Sequence, residues 1–204
     1  MSFEVSTLKN TYFALRHGTS EANVQGIILS DPKYGIPEYG LTPEGKEEVR
    51  QSAETAKKEG VLDESTVIVS SDFKRAKETA ERAARVLGIA ELLFDPALRE
   101  RFFGRFEGTS NTNYKKVWEK DANNATHTHK GVESAQAVLE RTLTVLASLE
   151  AQFSSRKILL VSHGDALQIL QTAFEHVPVS AHRTLTHLKT AEIRQLNSPV
   201  PHAA

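Results

Sequence analysis

The chain has no cysteine among its 204 residues. That excludes disulfides and every thiolate mechanism, and with them all cysteine-dependent phosphatases and proteases. Net charge is nearly absent too: 25 Lys and Arg against 26 Asp and Glu leave −1. No overall field draws the protein to nucleic acid or anionic lipid, so any anion it binds must be held by a local cluster. No apolar run is long enough to span a bilayer, and the start, "MSFEVSTLKN", has no basic segment followed by an apolar stretch. Neither a Pro/Gly/Ser-rich linker nor an internal repeat divides the chain. The expectation is one domain over 1–204, located in the cytoplasm, with neither nucleic acid nor membrane as partner and with no oligomeric state set by the sequence. The end, "NSPVPHAA", has two prolines and no periodicity and reads as a frayed tail over about 197–204.

What is present alternates. Three continuous apolar runs, "TYFALR" at 11–16, "TVIVS" at 66–70 and "KILLVS" at 157–162, have the pattern of strands covered on both faces, as in a parallel sheet between helices. Helical spacing follows each. Ala76, Ala80, Ala83 and Leu87 share a face after Phe73; Leu139, Leu143, Leu146 and Phe153 do so between Val132 and Phe153; Leu167, Leu170, Phe174 and Val177 do so after Gly164. Another helix begins at "TPEGKEEV", with Thr42 as N-cap, Pro43 at its first position and Gly60 as its stop. "ELLF" at 91–94 and "TAEIRQL" at 190–196 are weaker strands. The pattern predicts an α/β three-layer sandwich with a mostly parallel central sheet flanked by helices. From about 101 to 130 the rhythm breaks, and this insertion, with its short helical piece "NYKKVWEKD", reads as a lid.

In open α/β sheets ligands bind at the carboxyl ends of the strands. That edge receives "RHGTSEAN", "SSDFKRA" and "SHGDA" in turn. Arg16 and Arg75 offer planar guanidinium groups suited to phosphate. His17 and His163 each follow an apolar strand and precede a glycine, where the backbone can turn sharply and approach a ligand. Any one of these residues alone is ordinary. Two histidines converging with two arginines suggest phosphoryl chemistry, with a neutral imidazole as nucleophile and cations holding the transferring oxygens.

Six segments in order resemble the histidine phosphatase superfamily, the phosphoglycerate-mutase-like proteins. They are "LRHGTSEAN", "GLTPEGKEEV", "SSDFKRAKETAE", "LRERFFGRFEG", "GVES" and "VSHGDALQIL", running from Leu15 to about Leu170. The resemblance implies that His17 attacks phosphorus, its other ring nitrogen held by a backbone carbonyl. It also implies that Arg16, Arg75 and His163 surround the phosphoryl oxygens and that Asn23 donates a further hydrogen bond. Ser20 and Gly164 complete the substrate-binding set. Glu100 becomes the general acid, which requires a raised pKa and favours an acidic to near-neutral optimum. Glu107 competes for that role but fits a structural carboxylate better. Thr19 departs from the family, which often has an acidic residue there.

The expected activity is metal-independent hydrolysis of small phosphomonoesters without a cofactor. Two alternatives stay open: a phosphoglycerate-mutase-type phosphotransferase, and a non-catalytic phosphate or phosphoprotein binding module. Phe102 and Phe103 stand where a mutase has His-Tyr, which favours the hydrolase. Lys115, Lys116, Lys120 and Lys130 near the insertion could favour a second anionic group, although the simpler reading is a solvated face. "GLTPEGKE" has P-loop spacing, yet its Thr-Pro pair makes it a helix start. His127 and His129 in "HTHK" have metal-like spacing without a third ligand, in what reads as a mobile loop. His176, His182, His187 and His202 read as ordinary helix-end, loop or tail residues, and Phe102, Phe103, Phe106, Tyr114 and Trp118 chiefly as packing under the insertion, with room for one or two of them to stack on substrate as well.

Overall fold

Five strands cross the molecule in the order β3-β2-β4-β1-β5 in the computed structural model, which describes residues 5–197. They are β1 (Thr11–Arg16), β2 (Val67–Ser70), β3 (Leu93–Phe94), β4 (Lys157–Ser162) and β5 (Ile193–Gln195). The first four are mutually parallel where they pair, and β5 runs antiparallel to β1 at the edge. The helices are α1 (Glu21–Gln25), α2 (Pro32–Gly35), α3 (Pro43–Lys58), α4 (Lys74–Leu87), α5 (Tyr114–Asp121), α6 (Ala135–Gln152) and α7 (Gly164–Phe174). The tail expected over 197–204 lies, Asn197 apart, outside the described residues.

The continuous apolar runs are explained by cover on both faces. Phe13, Leu15, Ile68, Leu159 and Val161 pack on Val49 and Ala53 of α3 and on Ala76, Ala80, Ala83 and Leu87 of α4. Tyr12, Val69, Ile158 and Leu160 pack on Val145, Leu146 and Leu149 of α6 and Leu170 of α7. Helices therefore cover both sides of the sheet, forming three layers. Each large side chain so buried contributes roughly 1.5–3 kcal/mol before conformational entropy is set against it.

Helix α3 begins as its sequence predicts: Thr42 Oγ1 accepts from Gly45 N at 3.0 Å, Pro43 follows, and Gly60 turns away with φ 70°. Three other boundaries shift. Helix α6 starts at Ala135 rather than Val132, because Lys130 and Gly131 take positive φ, Val132 is extended, and Ser134 supplies the cap. Helix α7 stops at Phe174, short of Val177, and His176 has φ 53°. "TAEIRQL" shortens to Ile193–Gln195, since Ala191 also takes positive φ.

Register positions the site. Arg16 pairs with Ser162 and Ser70 with Val161, so the carboxyl ends of β1, β4 and β2 lie side by side. Their successors, His17, His163 and Ser71, enter one region. The 101–130 segment sits over it on its own small core of Ile28, Phe103, Phe106, Val117 and Val132. Backbone bonds pin it to the chain after α1: Ile28 N donates to Thr109 O at 2.8 Å and Asn111 N to Gly26 O at 2.8 Å.

Candidate active site

His17 is buried, and its hydrogen bonds select one tautomer. Nδ1 lies 2.8 Å from Gly18 O, an acceptor only, so Nδ1 carries the proton; Nε2 then holds a lone pair and accepts from Arg75 Nε at 3.1 Å. Burial, then Arg75 and Arg16, push the His17 pKa well below the usual imidazole value. The ring is neutral.

Arg75 enters from the first turn of α4 and is itself buried, with Nη2 donating to Leu29 O at 3.0 Å and Nη1 meeting no protein acceptor among the described residues. Arg16 donates from Nη1 to Leu188 O at 2.8 Å and to His187 at 2.9 Å, while its buried Nε is likewise uncommitted. Burial draws both guanidinium pKa values down, with Glu100 opposing, yet arginine is not deprotonated in proteins. One buried and one half-buried guanidinium, each with a spare donor, suit an oxyanion.

Glu100 is buried at the same place. Its Oε1 accepts from Arg101 N at 2.9 Å and Ala166 N at 3.1 Å, which favours the carboxylate. Burial first, and Asp165 second, outweigh these bonds and Arg75, so the pKa is raised. Both bonds fall on Oε1, leaving Oε2 able to carry the proton. Glu107 is elsewhere, clamping Ser30 N at 2.8 Å and Ser30 Oγ at 2.6 Å as a structural carboxylate.

These groups line a cavity of about 200 Å³. Arg16, His17, Ser20, Asn23, Arg75, Glu100 and Gly164 are all on its wall. Asn23 Oδ1 is committed to Ser20, accepting from its N at 3.0 Å and its Oγ at 2.9 Å in the capping box of α1, so the amide has its Nδ2 to offer. His163 is not on the wall. Its ring stands edge-on to His17 with centroids 5.2 Å apart, and Nε2 meets Ser71 Oγ at 2.9 Å. Burial, then Arg75, lower its pKa well below the usual value.

The glycines beside the histidines serve another purpose than a sharp turn. Neither Gly18 nor Gly164 has a positive φ. A Cβ at Gly18 would stand 2.4 Å from Gly45 O, and one at Gly164 would stand 3.0 Å from His187 Cε1 and 3.4 Å from Arg16 Cζ. Close approach of other groups, not backbone handedness, requires them. Thr19 points away, its N and Oγ1 both 2.9 Å from Glu48.

Other residues at or near the wall were read differently or passed over in the sequence. His187, read as ordinary, holds Arg16 through Nε2 and has Gln168 Oε1 3.2 Å from Nδ1; burial and Arg16 lower its pKa to about 4. Tyr114 and Trp118 reach the wall as a stacked pair, centroids 5.4 Å apart, besides packing under the insertion. Asp165 is joined by Trp118 Nε1 at 2.9 Å and by Arg101, whose guanidinium also grips Asp121 twice at 2.7 Å. His182, also read as ordinary, is buried, its Nε2 3.9 Å from both Asp121 and Asp165. His127 is not loose either, with Nε2 2.9 Å from Asp121 Oδ1. Among the described residues no group of three or more His, Asp or Glu could hold a metal ion, and no helix is long and apolar enough to cross a membrane.

The fold is thus that of a three-layer α/β protein with a polar cavity at the carboxyl edge of its sheet. The family model of the histidine phosphatase superfamily (branch 1) matches residues 12–198, and the chain belongs to that superfamily. It is 34% identical over 191 residues to the probable phosphoglycerate mutase GpmB of Salmonella paratyphi B, covering 91% of this chain and 83% of that one. Among solved structures it resembles a mycobacterial glucosyl-3-phosphoglycerate phosphatase complexed with VO3, with TM-score 0.75, 26% identity and 91% of each chain covered. A phosphoserine phosphatase variant from Entamoeba histolytica, at TM-score 0.71 and 23% identity over 90% of this chain and 88% of that one, shares the fold.

Proposed function

We propose that this protein is a cytoplasmic, metal-independent phosphatase, one domain with residues 101–130 as its lid, that hydrolyses small phosphomonoesters through a phosphohistidine on His17. The observation that carries the reading is the His17 bond pair, which leaves an unprotonated Nε2 against the buried Arg75, with Arg16 on the same cavity wall. Nε2 attacks phosphorus; an N–P bond forms as the P–O bond to the leaving group breaks. The Arg75 Nε–H that rested on Nε2 passes to a phosphoryl oxygen, joined by Arg16 and Asn23. His163, whose buried Nδ1 has no hydrogen-bond partner among the described residues, backs the His17 ring with centroids 5.2 Å apart and supports it from behind the cavity wall.

Glu100 gives its proton to the departing oxygen. Now ionised, it takes a proton from water as that water attacks phosphorus and the N–P bond breaks, releasing inorganic phosphate and restoring both groups. Raising its pKa is what burial beside Asp165 does.

The likeness to a probable phosphoglycerate mutase favours a second reading, in which the phosphoryl group returns to a substrate oxygen. Phe103, in place of a polar residue, lies in the lid core and so gives that reading no extra group in the cavity. The test is phosphate release from 4-nitrophenyl phosphate in EDTA, with mass spectrometry after an alkaline quench. The phosphatase reading expects turnover, a transient adduct of one phosphoryl group on His17, and loss of both in H17A. Phosphate binding without turnover would leave a binding module, and interconversion of phosphoglycerates without phosphate release would make the protein a mutase.

A further inference from the structure

Beyond the arginines the cavity changes character. Its wall continues through Ile27, Leu29, Tyr114 and Trp118, with the neutral amides of Asn23 and Asn111 between them. Positive charge ends with Arg16 and Arg75. The other acidic side chain on the wall besides Glu100 is Asp165, and the Arg101 guanidinium that pairs it is shared with Asp121, one cation facing two carboxylates. Arg183 lies 3.6 Å over the Trp118 ring and binds Gln168, and it is not on the wall.

The lysines near the insertion do not change this. Lys116, Lys120 and Lys130 line a separate groove with His129, and none of the four reaches the cavity. At about 200 Å³ the cavity is also smaller than the roughly 300–1,000 Å³ of sites for drug-sized ligands. A phosphoryl dianion already occupies both guanidinium groups, so a second anion on the substrate would be desolvated against Asp165 with no cation to meet it.

We propose that this site selects phosphomonoesters whose only charge is on the phosphoryl group, with a small, uncharged and partly apolar alcohol or phenol as leaving group. The proposal rests on the phosphatase reading and separates this chain from its similar proteins named for phosphoglycerate substrates. Specificity here is a difference of affinities, and the repulsive element is the Asp165 wall.

The test is a matched pair: glycerol 3-phosphate against 3-phosphoglycerate, which differ by a hydroxymethyl group in place of a carboxylate. Phenyl phosphate against 4-carboxyphenyl phosphate forms a second pair. The member without a carboxylate in each pair should have the higher kcat/KM by tenfold or more, carried mainly by KM. N111K, which adds a cation to the wall, should narrow the first ratio at least threefold. Equal or faster turnover of the carboxylates by the native protein would overturn the proposal while leaving the phosphatase intact, and a ratio unmoved by N111K would overturn its electrostatic basis. No phosphate from any ester, and no adduct on His17, would overturn the phosphatase reading and this one together.

Discussion

Replacing Gly45 with alanine should damage the active site from a position outside the cavity. Gly45 lies in the first turn of α3, against the loop that leaves β1 and carries His17, Gly18 and Thr19. A Cβ there would stand 2.0 Å from Thr19 O and 2.8 Å from Thr19 N. Ordinary carbon contacts are about 3.5 Å, so helix and loop must part by more than ~1 Å. The bonds from Thr42 N and Oγ1 to Thr19 O, at 3.0 and 3.2 Å, would stretch with them. Overpacking of this kind costs roughly 1–3 kcal/mol, against at most about 1 kcal/mol from alanine's better helix propensity. The net is a loss of up to ~2 kcal/mol, and a melting point lower by several degrees. Displacing a nucleophile by ~1 Å costs on the order of 100-fold, so kcat/KM should fall 10- to 100-fold, more than the lost stability explains. Thermal melts and kinetics on G45A would be compared with G60A, where a Cβ meets nothing within 4 Å and the positive φ of 70° alone is strained, so that G60A shows backbone strain without the steric push on the His17 loop. A G45A protein that melts at or above the native temperature refutes the steric account. One that is destabilised yet fully active refutes its link to His17.

Two further predictions concern the histidines. His17, His163 and His187 stay neutral when folded, whereas unfolded imidazoles gain protons below about 6.5. Stability is therefore present above that pH and falls as pH drops towards the folded values, by on the order of 1.4 kcal/mol per pH unit for each imidazole, with Glu100, whose pKa is raised above its unfolded value, partly opposing. Urea unfolding at pH 7.5 and 5.5 should show a clear drop; equal midpoints would contradict the buried neutral histidines. H187A removes one bond that orients Arg16, so affinity for inorganic phosphate should weaken about 5- to 10-fold by calorimetry while the His17 adduct still forms; unchanged affinity would make His187 a bystander.

The apolar runs, their helical successors and the cap at Thr42 were legible in the sequence, because strand burial and helix capping act over a few residues. So was the gathering of Arg16, His17, Arg75 and Glu100 on one cavity wall, because each stands in or beside a short contiguous motif at a strand end. Helix ends at Lys130 and His176 were not, since a positive φ at a residue other than glycine leaves no mark on composition. The reason for Gly18 was invisible for a different cause: its constraint is an oxygen of Gly45, which the sequence places 27 residues away in another element.

Sequence alone determined a three-layer α/β chain with Arg-His and His-Gly pairs at the ends of its strands, since those properties depend on local pattern. Only the tertiary structure decided that His187 would hold Arg16, that Asp165 and the Tyr114–Trp118 pair would close the wall, and that the lysines would face elsewhere. These are contacts between segments tens of residues apart, set by strand register and by the packing of the insertion, and no local pattern encodes them.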